Sequence, residues 1–565
     1  MHYLSPGGVI CPQSRGELTV SYSDEPSAGG ATNSGYTASI TVDINTSRLS
    51  TPAAAFVGLL SVAAGLGVGH LVAGLVSSTT SPFLAVGSTA IDLTPIGLKD
   101  FAVRTFGTYD KTVLLVGMAV VIGLVGVVVG LLSRRSRTPG LALIIVLGTL
   151  VTAAVTTRPK AGLLDFLAPL AALIASVATF VVLHERGRTS GAQAADGATV
   201  GMPRRTLLTG SAVVAAGAGI AAAGGQLLAG RSAVEASRAA VGRIAPTVAA
   251  PPIPAGADFA ADGSPSFITP NRDFYRIDVN LTLPRLRAED WRLRVHGMVD
   301  RELTLNWADL TSRRLIERPV TMLCVSNEVG GPYISTALFT GVPLADILTE
   351  TGVRPGADQV FTTSVDGWTC GSPTTVLADP AHHAMLVIGM NGEPLPIEHG
   401  FPVRMIVPGL YGFVSGTKWI TDMELTTFAA HQAYWLQRGW AQRAPIKTMS
   451  RIDSPSALAR INPDTPITGI AWAQTRGIDK VEVRLDHGQW QPAELSTEVN
   501  LDTWRMFRLR GHWEPGHHLA EVRATDKTGY TQTADRTSPI PDGASGWHSV
   551  QFTVSEQGSS RAHES

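Results

Sequence analysis

Long apolar stretches before residue 231 constrain this chain more than any other feature. Five of them approach or exceed the ~20 residues that a helix needs to cross the hydrocarbon core of a membrane. They cover residues 53–76, 112–132, 141–157, 162–183 and 207–230. Glycine recurs within them, and small residues let membrane helices approach one another closely. Residues 51–230 are therefore predicted to form an N-terminal transmembrane α-helical bundle of about five spans.

Composition divides the chain into a membrane part and a soluble part. Of its 565 residues, 44% are hydrophobic and only 16% are charged, against ~25% charged residues in a typical globular protein. Nearly all of this deficit lies before residue 231, and a chain of this length is too long for one hydrophobic core. The net charge of −1 excludes a generally basic surface for nucleic acid. Three cysteines, Cys11, Cys324 and Cys370, exclude a disulfide framework and a CxxC zinc site.

Basic residues predict the orientation of the spans. Segments 133–138 and 184–206 are rich in arginine, whereas 157–161 holds only Arg158 and Lys160. Arginine-rich segments stay in the cytoplasm, so alternation of five spans places everything after residue 230 outside. We therefore expect a multi-pass protein of the plasma membrane, in contact with membrane lipid, whose soluble part is extracytoplasmic.

Two arginines precede the last apolar stretch. Arg204 and Arg205 lie in MPRRTLLTG at 202–210, which resembles a twin-arginine export signal placed inside the chain. Such a signal suits a soluble part that acquires a cofactor in the cytoplasm and crosses the membrane folded. The other interpretation is that these arginines only add to the cytoplasmic charge bias, and the sequence leaves both open.

Two histidines in the spans raise the question of haem. The predicted topology places His70 near the outer end of its helix and His184 at the inner end of another. One iron could not bind both, so no haem is expected.

The remaining segments differ in composition. Residues 1–50 and 556–565 are predicted to be disordered, and the proline-containing residues 231–263 to be an extended linker. Residues 264–430 mix short strands with short helices, the latter predicted at 305–315 and 343–351, and lack βαβ regularity. This predicts a mixed α+β domain. Residues 431–555 hold short alternating strands and a hairpin turn, which predicts an immunoglobulin-like β-sandwich. Its tryptophans are expected mainly in the core: Trp472, Trp490, Trp504 and Trp513.

The most informative soluble segment surrounds Cys324. The cysteine follows an apolar strand and opens a loop that contains Asn327, Gly330 and Gly331. Glycines let a bulky group approach the backbone, and a thiolate is the ligand that a soft, thiophilic metal prefers. A lone cysteine is more often a small buried hydrophobic residue, so both interpretations stay open at this point.

Five motifs follow one another in the soluble part of the chain: TPNRDFYRID at 269–278, LCVSNEVGG at 323–331, FTGVPLADIL at 339–348, MNGEPLP at 390–396 and HGFPVRMIVPGLYGFVSGTKWI at 399–420. In these motifs and their order, residues 267–554 resemble the molybdopterin-dependent oxidoreductases of the sulfite oxidase fold. The resemblance implies a molybdopterin-binding catalytic domain, the molybdenum–molybdopterin cofactor (Moco) and a C-terminal module that mediates dimerisation in the family.

The resemblance also implies roles for individual residues. Cys324 matches the family's cysteine that binds molybdenum, and Arg404 and Lys418 match residues that bind the phosphate of the pterin. Arginine can grip a phosphate through two charge-assisted bonds, and lysine serves as a compact point charge. The other positions that match cofactor-binding residues are Asn271, Tyr275, Arg276, Thr363, His399, Ser415 and Thr417.

Departures from the family concern the substrate. Relatives that oxidise sulfite follow the cysteine with arginines that bind the oxyanion, whereas this chain has Glu328 in the corresponding stretch. A carboxylate there would repel an oxyanion. Those relatives also have a tyrosine before a glycine where this chain has Cys370 before Gly371. Cys370 is therefore predicted to line the substrate pocket as a second catalytic thiol, with a buried cysteine as the alternative.

The sequence thus predicts a membrane-anchored molybdenum-dependent oxidoreductase that performs oxygen-atom transfer on a small sulfite-like or sulfoxide-like substrate. No haem or iron–sulfur ligand set is visible in the sequence, so we expect a separate electron-transfer partner, and we expect a homodimer through the C-terminal module. The alternative is a non-catalytic ectodomain that binds a partner through its β-sandwich. Cys324 together with Arg404 and Lys418 favours the enzyme, because a binding module needs no thiolate beside two phosphate-binding cations.

Overall fold

The structure, a computed structural model, describes residues 48–76, 81–95, 98, 101, 105–106, 110–156, 162–195, 216–217, 219, 231–279 and 281–555. The chain divides into two compact units. Unit 1 comprises Met1–Val72, Val113–Ala153 and Phe166–Gly225, and unit 2 comprises Ala73–Thr112, Ala154–Asp165 and Gln226–Ser565.

Four helices of the described chain are long and apolar enough to cross a membrane. They are α1 (Thr51–Val76), α3 (Asp110–Leu132), α4 (Thr138–Thr156) and α5 (Leu167–Ala195, after a 3₁₀ turn at Leu163–Phe166), and a shorter helix, α2 (Pro82–Leu93), lies between the first two. These helices match the first four predicted spans within a few residues. The predicted fifth span at 207–230 lies largely outside the described residues, as do Arg204 and Arg205.

Glycines bring the first two spans into backbone contact within unit 1. A Cβ added at Gly58 would lie 2.0 Å from the carbonyl oxygen of Gly126, and one at Gly130 would lie 1.8 Å from that of Ala54. Only glycine fits such a crossing, which confirms the expected close approach of helices. Gly117 on α3 differs, because no described atom lies within 4 Å of its added Cβ.

His184 has a packing role in unit 1. Its Nε2 lies 2.8 Å from the carbonyl oxygen of Ser133, and its ring stacks on Phe180 with the centroids 5.6 Å apart. The side chain is 1% exposed. These contacts satisfy the imidazole within the protein.

The segment 231–263, predicted to be an extended linker, instead begins with a helix that docks on the soluble part of unit 2. In this helix, α6 (Arg231–Val241), Val234 is buried and Ser237 donates to Glu289 at 2.6 Å. The Arg238 guanidinium donates to the carbonyl oxygen of Leu395 at 2.8 Å. The prolines that suggested a tether follow this helix, and the prediction was wrong because α6 finds its partners only in the folded domain.

The part of unit 2 that the sequence predicts to be catalytic contains two five-stranded sheets, which we call the catalytic sheets. Its strands are β1 (Arg292–Gly297), β2 (Leu303–Asn306), β3 (Ile316–Leu323), β4 (Ile334–Pro343), β5 (Gln359–Ser364), β6 (Thr369–Pro373), β7 (Met385–Met390), β8 (Glu393–Pro394), β9 (Arg404–Ile406) and β10 (Ile420–Thr426). One sheet has the order β2-β1-β10-β5-β6, and the other has the order β3-β4-β7-β8 with β9 paired to β7. Short helices α7 (Trp307–Thr311), α8 (Leu344–Thr351) and α9 (Thr374–Ala378) connect these strands.

A hydrophobic core joins these two sheets. Leu293 and Val295 of β1 belong to the same buried cluster as Met423 of β10 and Leu386 and Ile388 of β7. In β1 apolar and charged residues alternate, and the apolar ones are buried, as the period of two in a strand requires. The mixed α+β architecture predicted for this region is confirmed in its strands and short helices.

Two predicted helices had different outcomes. The helix predicted at 343–351 is α8, and it ends at Gly352, whose φ of 66° favours glycine. The helix predicted at 305–315 is shorter, because β2 uses the chain up to Asn306. The Asn306 side chain then caps α7 by accepting from the N–H of Asp309 at 2.9 Å.

The C-terminal part of unit 2 consists of two further sheets. Its strands are β11 (Met449–Ser454), β12 (Arg460–Ile461), β13 (Ile467–Trp472), β14 (Ile478–Leu485), β15 (Gln491–Pro492), β16 (Glu494–Leu495), β17 (Arg505–Leu509), β18 (Gly516–Asp526) and β19 (His548–Val554). They form one sheet in the order β11-β13-β17-β16 and another in the order β12-β19-β18-β14-β15. Phe507 of the first sheet shares a buried cluster with Val522 and Phe552 of the second. This region, which we call the C-terminal module, is therefore two sheets around a common core.

Tryptophans of the C-terminal module are mainly in its interior, as predicted. Trp472, Trp504 and Trp513 are 1%, 3% and 6% exposed. Trp490 is less buried and packs edge-to-face against Trp547, with the ring centroids 5.0 Å apart.

Candidate functional site

A cavity opens where several strands of the catalytic sheets begin or end. Cys324 follows β3, Ser364 ends β5, Arg404 begins β9 and Lys418 lies just before β10. The empty volume is about 1000 Å³, including the mouth that is open to solvent. The other residues of the lining are Phe274, Tyr275, Ile277, Asp278, Val279, Thr282, Met322, Val325, Ser326, Asp366, Trp368, His399, Gly412, Phe413, Gly416, Trp419, Trp435 and Trp440. The mouth gives a ligand access to these residues from solvent.

Cys324 lies in a loop that hydrogen bonds hold closed. Its N–H donates to the carbonyl oxygen of Tyr333 at 3.0 Å, and its own carbonyl oxygen accepts from the N–H of Asn327 at 3.1 Å. The Asn327 side chain accepts from the N–H of Tyr333 at 2.7 Å. Burial raises the pKa of the Cys324 thiol, so a neighbouring positive charge such as a metal ion is needed to keep it as a thiolate at neutral pH.

Residues of the C-terminal module contact the loop that contains Cys324. The Arg451 guanidinium donates to the carbonyl oxygen of Gly331 at 2.7 Å. Gly330 has a φ of 80°, and a Cβ added there would lie 2.3 Å from the imidazole ring of His548. Gly330 therefore meets both a conformational and a steric requirement for glycine, which explains the glycine pair after Cys324.

Three side chains form what we call the cationic side of the cavity: His399, Arg404 and Lys418. Arg404 is 5% exposed and donates to the carbonyl oxygen of His399 at 3.2 Å. Lys418 forms an ion pair with Asp278. A Cβ added at Gly400 would lie 3.0 Å from the Cβ of Arg404 and 3.1 Å from that of Lys418, so the two cationic residues lie side by side.

Burial dominates the protonation equilibria on the cationic side. It lowers the pKa of Arg404 to about 10, and it lowers that of Lys418 to about 8 although Asp278 acts in the opposite direction. Burial, together with the charges of Arg404 and Lys418, lowers the pKa of His399 to about 4. At pH 7 the imidazole is therefore neutral and both cations are mainly protonated. A bound anion would offset the cost of keeping these two charges out of water.

Trp419, next to Lys418, has a left-handed backbone with a φ of 50°. Such a conformation is unfavourable for a bulky residue and is found preferentially at functional sites. The Trp419 indole N–H donates to the carbonyl oxygen of Ile397 at 3.1 Å, and the Lys418 Nζ lies 4.8 Å from the centre of the indole ring. The surrounding contacts thus hold Trp419 beside the ammonium group at the cavity.

Another part of the cavity lining is apolar instead of charged. We call it the aromatic wall, and it is formed by Phe413, Trp435 and Trp440. The ring centroids of Phe413 and Trp440 are 5.6 Å apart, and those of Trp435 and Trp440 are 6.0 Å apart. All three pack in one hydrophobic cluster with Leu323 and Val325, the neighbours of Cys324 in sequence. The aromatic wall therefore adjoins the cysteine.

Two further lining residues carry hydrogen-bond donors without acceptors. Ser364 and Trp368 lie at the turn between β5 and β6, where the N–H of Ser364 donates to the carbonyl oxygen of Trp368 at 2.9 Å. The Ser364 hydroxyl and the Trp368 indole N–H are both buried, and neither has a hydrogen-bond partner among the described residues.

The structure brings part of the predicted site together. Tyr275, Cys324, His399, Arg404 and Lys418 line the cavity. The predicted cofactor-binding residues that do not line it are Asn271, Arg276, Thr363, Ser415 and Thr417. Glu328, which the sequence placed near the substrate, is exposed and is also outside the lining.

Several of these non-lining residues use their polar groups within the protein. The Ser415 hydroxyl donates to the carbonyl oxygen of Tyr411 at 3.0 Å, and the Thr417 hydroxyl lies 2.6 Å from that of Thr362. The Asn271 carbonyl oxygen accepts from the ring Nε2–H of His399 at 3.2 Å. We therefore assign Asn271 the role of orienting His399 rather than that of lining the cavity.

Cys370 does not reach the cavity, which corrects the prediction of a second thiol in the substrate pocket. It is completely buried in the core cluster between the catalytic sheets, with its Sγ 3.9 Å from the Ser372 hydroxyl. It pairs with Thr362 within the β5–β6 ladder. Residues at the turn of this hairpin line the cavity, whereas Cys370 lies further along the strand, and the alternative of a buried cysteine is correct.

Comparisons with known proteins agree with the site. Residues 280–435 match the family described as "Oxidoreductase molybdopterin binding domain". Mitochondrial sulfite oxidase from Homo sapiens is 28% identical over 345 residues, covering 51% of this chain and 62% of that protein. An NADPH nitrate reductase from Emericella nidulans is 32% identical over 293 residues, covering 43% of this chain and 33% of that protein.

A solved structure is also similar in part. The sulfane dehydrogenase SoxCD from Paracoccus pantotrophus is 25% identical, covers 48% of this chain and 75% of its own, and has a TM-score of 0.43, which is too low for a conclusion about the whole fold. The chain spans 62% of the length of the human and rat sulfite oxidases. The residues that the family model matches, 280–435, lie after the predicted spans.

Proposed function

Because the chain belongs to the molybdopterin oxidoreductases of the sulfite oxidase family, we propose that it is a membrane-anchored enzyme that moves an oxygen atom to or from a small substrate beside Cys324. The observation that carries the proposal is the position of this thiol in one cavity with two buried cations, Arg404 and Lys418. A thiol and two phosphate-binding groups are what the molybdenum–molybdopterin cofactor requires.

The cavity fits this cofactor in its donor groups. Cys324 would supply the thiolate that a soft metal prefers. The Arg404 Nε is buried and has no hydrogen-bond partner among the described residues, which costs about 1–3 kcal/mol for a buried polar group. The pterin phosphate would accept from Arg404 and would pair with Lys418, and Tyr275 and His399 would contact the pterin.

When bound, the cofactor supplies two-electron redox chemistry in which the substrate gains or loses one oxygen atom, water receives or provides that atom, and a separate redox partner exchanges the electrons. The chain's own residues hold and orient the reactants. Since the His399 Nε2–H donates to the Asn271 carbonyl oxygen, Nδ1 is left as an acceptor without a charge. The aromatic wall gives the same cavity an apolar side.

We propose an extracytoplasmic location for the cavity. Unit 2 contains, with the catalytic sheets, the segments that follow the first and third spans (Ala73–Thr112 and Ala154–Asp165). Within this unit the Lys111 Nζ donates to the carbonyl oxygen of Asp278 at 2.7 Å. The arginine-rich connection 133–138 and the described part of the other one, 184–195, fall in unit 1 instead. Since such segments remain in the cytoplasm, this division supports catalysis on the opposite face.

Export of the soluble part can be tested at Arg204 and Arg205. If they form a twin-arginine signal, replacing both by lysine will leave the soluble part on the cytoplasmic side while the earlier spans still insert. Protease protection of the soluble part in spheroplasts measures this outcome. Replacement of Arg134 and Arg135 by lysine makes the same change outside the proposed signal and serves as the control. Unchanged protease accessibility of the soluble part in the Arg204/Arg205 variant would refute the signal.

We also propose that the C-terminal module is immunoglobulin-like, that residues 264–430 form the catalytic domain, and that the enzyme is a homodimer with an external electron-transfer partner. The two-sheet packing of the C-terminal module supports its immunoglobulin-like fold. The family's dimerisation through this module supports the homodimer.

Metal and pterin analysis of the purified full-length protein tests the function. We expect about one molybdenum and one pterin per chain from a host that makes the cofactor. In the double variant Arg404→Met/Lys418→Met the molybdenum content and the pterin content should both fall about tenfold or more, because each substitution removes a charged bond to the phosphate. Arg294→Met, which removes an exposed surface ion pair with Glu302, is the control and should keep full content. Absence of molybdenum from the unaltered protein would end the enzymatic interpretation.

A further inference from the structure

The segment Ala73–Thr112 joins the first two spans and belongs to unit 2 together with the catalytic sheets. We call it the first connection. Its helix α2 buries Ala85, which shares a small hydrophobic cluster with Ala154 and Val155 at the end of α4. Ala85 and Val155 are both 0% exposed. The segments that follow the first and third spans therefore pack on each other within this unit, which holds α2 in place.

The end of α2 contacts the turn that carries Trp435. The Asp92 carboxylate lies 3.4 Å from the Tyr434 hydroxyl and 3.9 Å from the Arg438 guanidinium. Arg438 in turn donates to the carbonyl oxygen of Tyr434 at 2.8 Å, and its guanidinium lies 3.5 Å from the centre of the Tyr434 ring. This ring packs edge-to-face against Trp435, with the centroids 5.1 Å apart. A continuous series of contacts therefore leads from α2 to the aromatic wall.

The other end of the first connection contacts the cationic side of the cavity. Lys111, in the first turn of α3, donates from its Nζ to the carbonyl oxygen of Asp278 at 2.7 Å. Asp278 lines the cavity, and its carboxylate, which is 7% exposed, forms ion pairs with Lys418 and Arg276. The Lys418 Nζ also donates to the carbonyl oxygen of Ile277 at 3.3 Å. Lys111 thus holds the backbone of the residue that orients Lys418.

The two contacts differ in strength. A hydrogen bond from a charged donor is worth more than an ion pair that stays partly in water. Lys111 makes the former, whereas the side chains of Arg438 and Asp92 are 23% and 34% exposed. We therefore expect the contact of Lys111 to have the larger effect on its side of the cavity, and that of Asp92 the smaller.

We propose that the first connection positions both sides of the cavity, with Asp92 as the positioning residue of the aromatic wall and Lys111 as that of the cationic side. The membrane part then does more than anchor the enzyme, because the first connection leads from one span to the next and contacts both sides of the cavity. The role of Lys111 towards the cofactor rests on the proposed function, whereas the role of Asp92 does not.

Hydrogen exchange of the full-length protein tests the contact of Asp92. The N–H groups of Arg438, Gly439 and Trp440 donate to carbonyl oxygens within their turn at 3.0, 3.1 and 3.2 Å, so their exchange reports the opening of this turn. Asp92→Ala should raise their exchange rates about threefold, the size of a partly exposed ion pair, and Asp92→Glu should restore them. Asp165→Ala, in the segment that follows the third span, is the matched control.

Retention of the pterin tests the contact of Lys111. Cofactor-loaded full-length protein is diluted, and the released pterin is followed by its fluorescence. Lys111→Met should speed the release about fivefold, less than the loss of a charged hydrogen bond to the phosphate itself, and Lys111→Arg should keep the rate of the unaltered protein. Lys480→Met, which removes an exposed ion pair with Glu482, is the matched control. Should Lys111→Met fail to fold, Lys111→Gln, which is shorter and uncharged, tests the same contact.

The two variants should act separately. Asp92→Ala should leave pterin release unchanged, and Lys111→Met should leave exchange in the turn unchanged. A variant that changes both quantities would show a general loss of stability and would overturn the positioning roles, as would unchanged exchange in Asp92→Ala or unchanged release in Lys111→Met. Unaltered protein without pterin would reject the proposed function and with it the role of Lys111, whereas the exchange experiment would still decide the role of Asp92.

Discussion

The cationic side and the aromatic wall share one cavity but differ in almost every physical property. On the cationic side, Arg404 and Lys418 are charges withdrawn from water, and burial lowers the pKa of both. On the aromatic wall, Phe413, Trp435 and Trp440 belong to a hydrophobic cluster that continues into the neighbours of Cys324. The difference teaches that this cavity keeps its buried charges on one side and its apolar surface on the other.

Cys324 lines the cavity that the cationic side and the aromatic wall share, and its removal is expected to have the largest effect on turnover. Cys324→Ser should reduce turnover at least ~100-fold, because even outer-sphere changes at a metal site cost 10–100-fold. Arg404 and Lys418 remain, so pterin content should stay near that of the unaltered protein. Steady-state turnover with a reduced dye, together with fluorescence of the extracted pterin, measures both quantities. Cys370→Ser is the matched control and should keep its turnover, since this thiol lies outside the cavity.

A cation placed on the aromatic wall would break the contrast between the two sides. Trp435→Arg should lower the inhibition constant of sulfate about tenfold, which corresponds to one charged hydrogen bond. It should also weaken the binding of methyl phenyl sulfoxide. Competition assays at constant ionic strength measure the change, and Trp490→Arg is the control. An unchanged sulfate constant in a folded, cofactor-loaded Trp435→Arg variant would show that charge does not decide which ligand this side accepts.

A smaller effect is expected where the C-terminal module supports the cysteine loop. Burial, with Arg451 and Arg536 nearby, lowers the pKa of His548 to about 4. An unfolded histidine binds its proton near pH 6.5, so the folded state loses stability as the pH falls from about 6.5 towards about 4, and below that value the loss is complete.

His548→Gln should remove this share of the acid sensitivity. The difference in Tm between pH 7 and pH 4.5 should shrink by about 2–4 °C relative to the unaltered protein. Thermal unfolding at the two pH values measures it. His487→Gln, which alters an exposed turn residue, is the control, and an identical pH dependence in the His548 variant would show that its burial does not contribute.

The sequence predicted those features whose signal is local or carried by ordered motifs. Four spans were found because an apolar run of sufficient length has few alternatives, and Cys324, Arg404 and Lys418 because they lie in motifs of the family. The aromatic wall was missed, since Trp435 and Trp440 lie beyond the last motif at 399–420 and join the cluster of Leu323 and Val325 only in the folded chain. Ser364 and Trp368 were missed for the same reason.

Two predictions were wrong for physical reasons that the sequence alone does not show. Cys370 was placed in the pocket by alignment, but its position in the β5–β6 ladder turns it into the core. Residues 231–263 were predicted to be a linker from their prolines, whereas Val234 and Arg238 of α6 are fixed by contacts that involve residues far along the chain. The first depends on which face of a hairpin packs into the core and the second on contacts between residues distant in sequence, and composition encodes neither.

The support of the cysteine loop by Arg451 and His548 has a consequence for modularity. The strand that leads to Cys324 is also bonded to the C-terminal module, since the N–H of Thr321 donates to the carbonyl oxygen of Asp502 at 3.0 Å and the N–H of Trp504 donates to the Thr321 hydroxyl at 2.7 Å. A fragment truncated after the catalytic sheets would lack the partners that shape the turn at Cys324. We therefore expect the catalytic sheets to need the C-terminal module for the conformation of this turn, so the two parts behave as one folding unit.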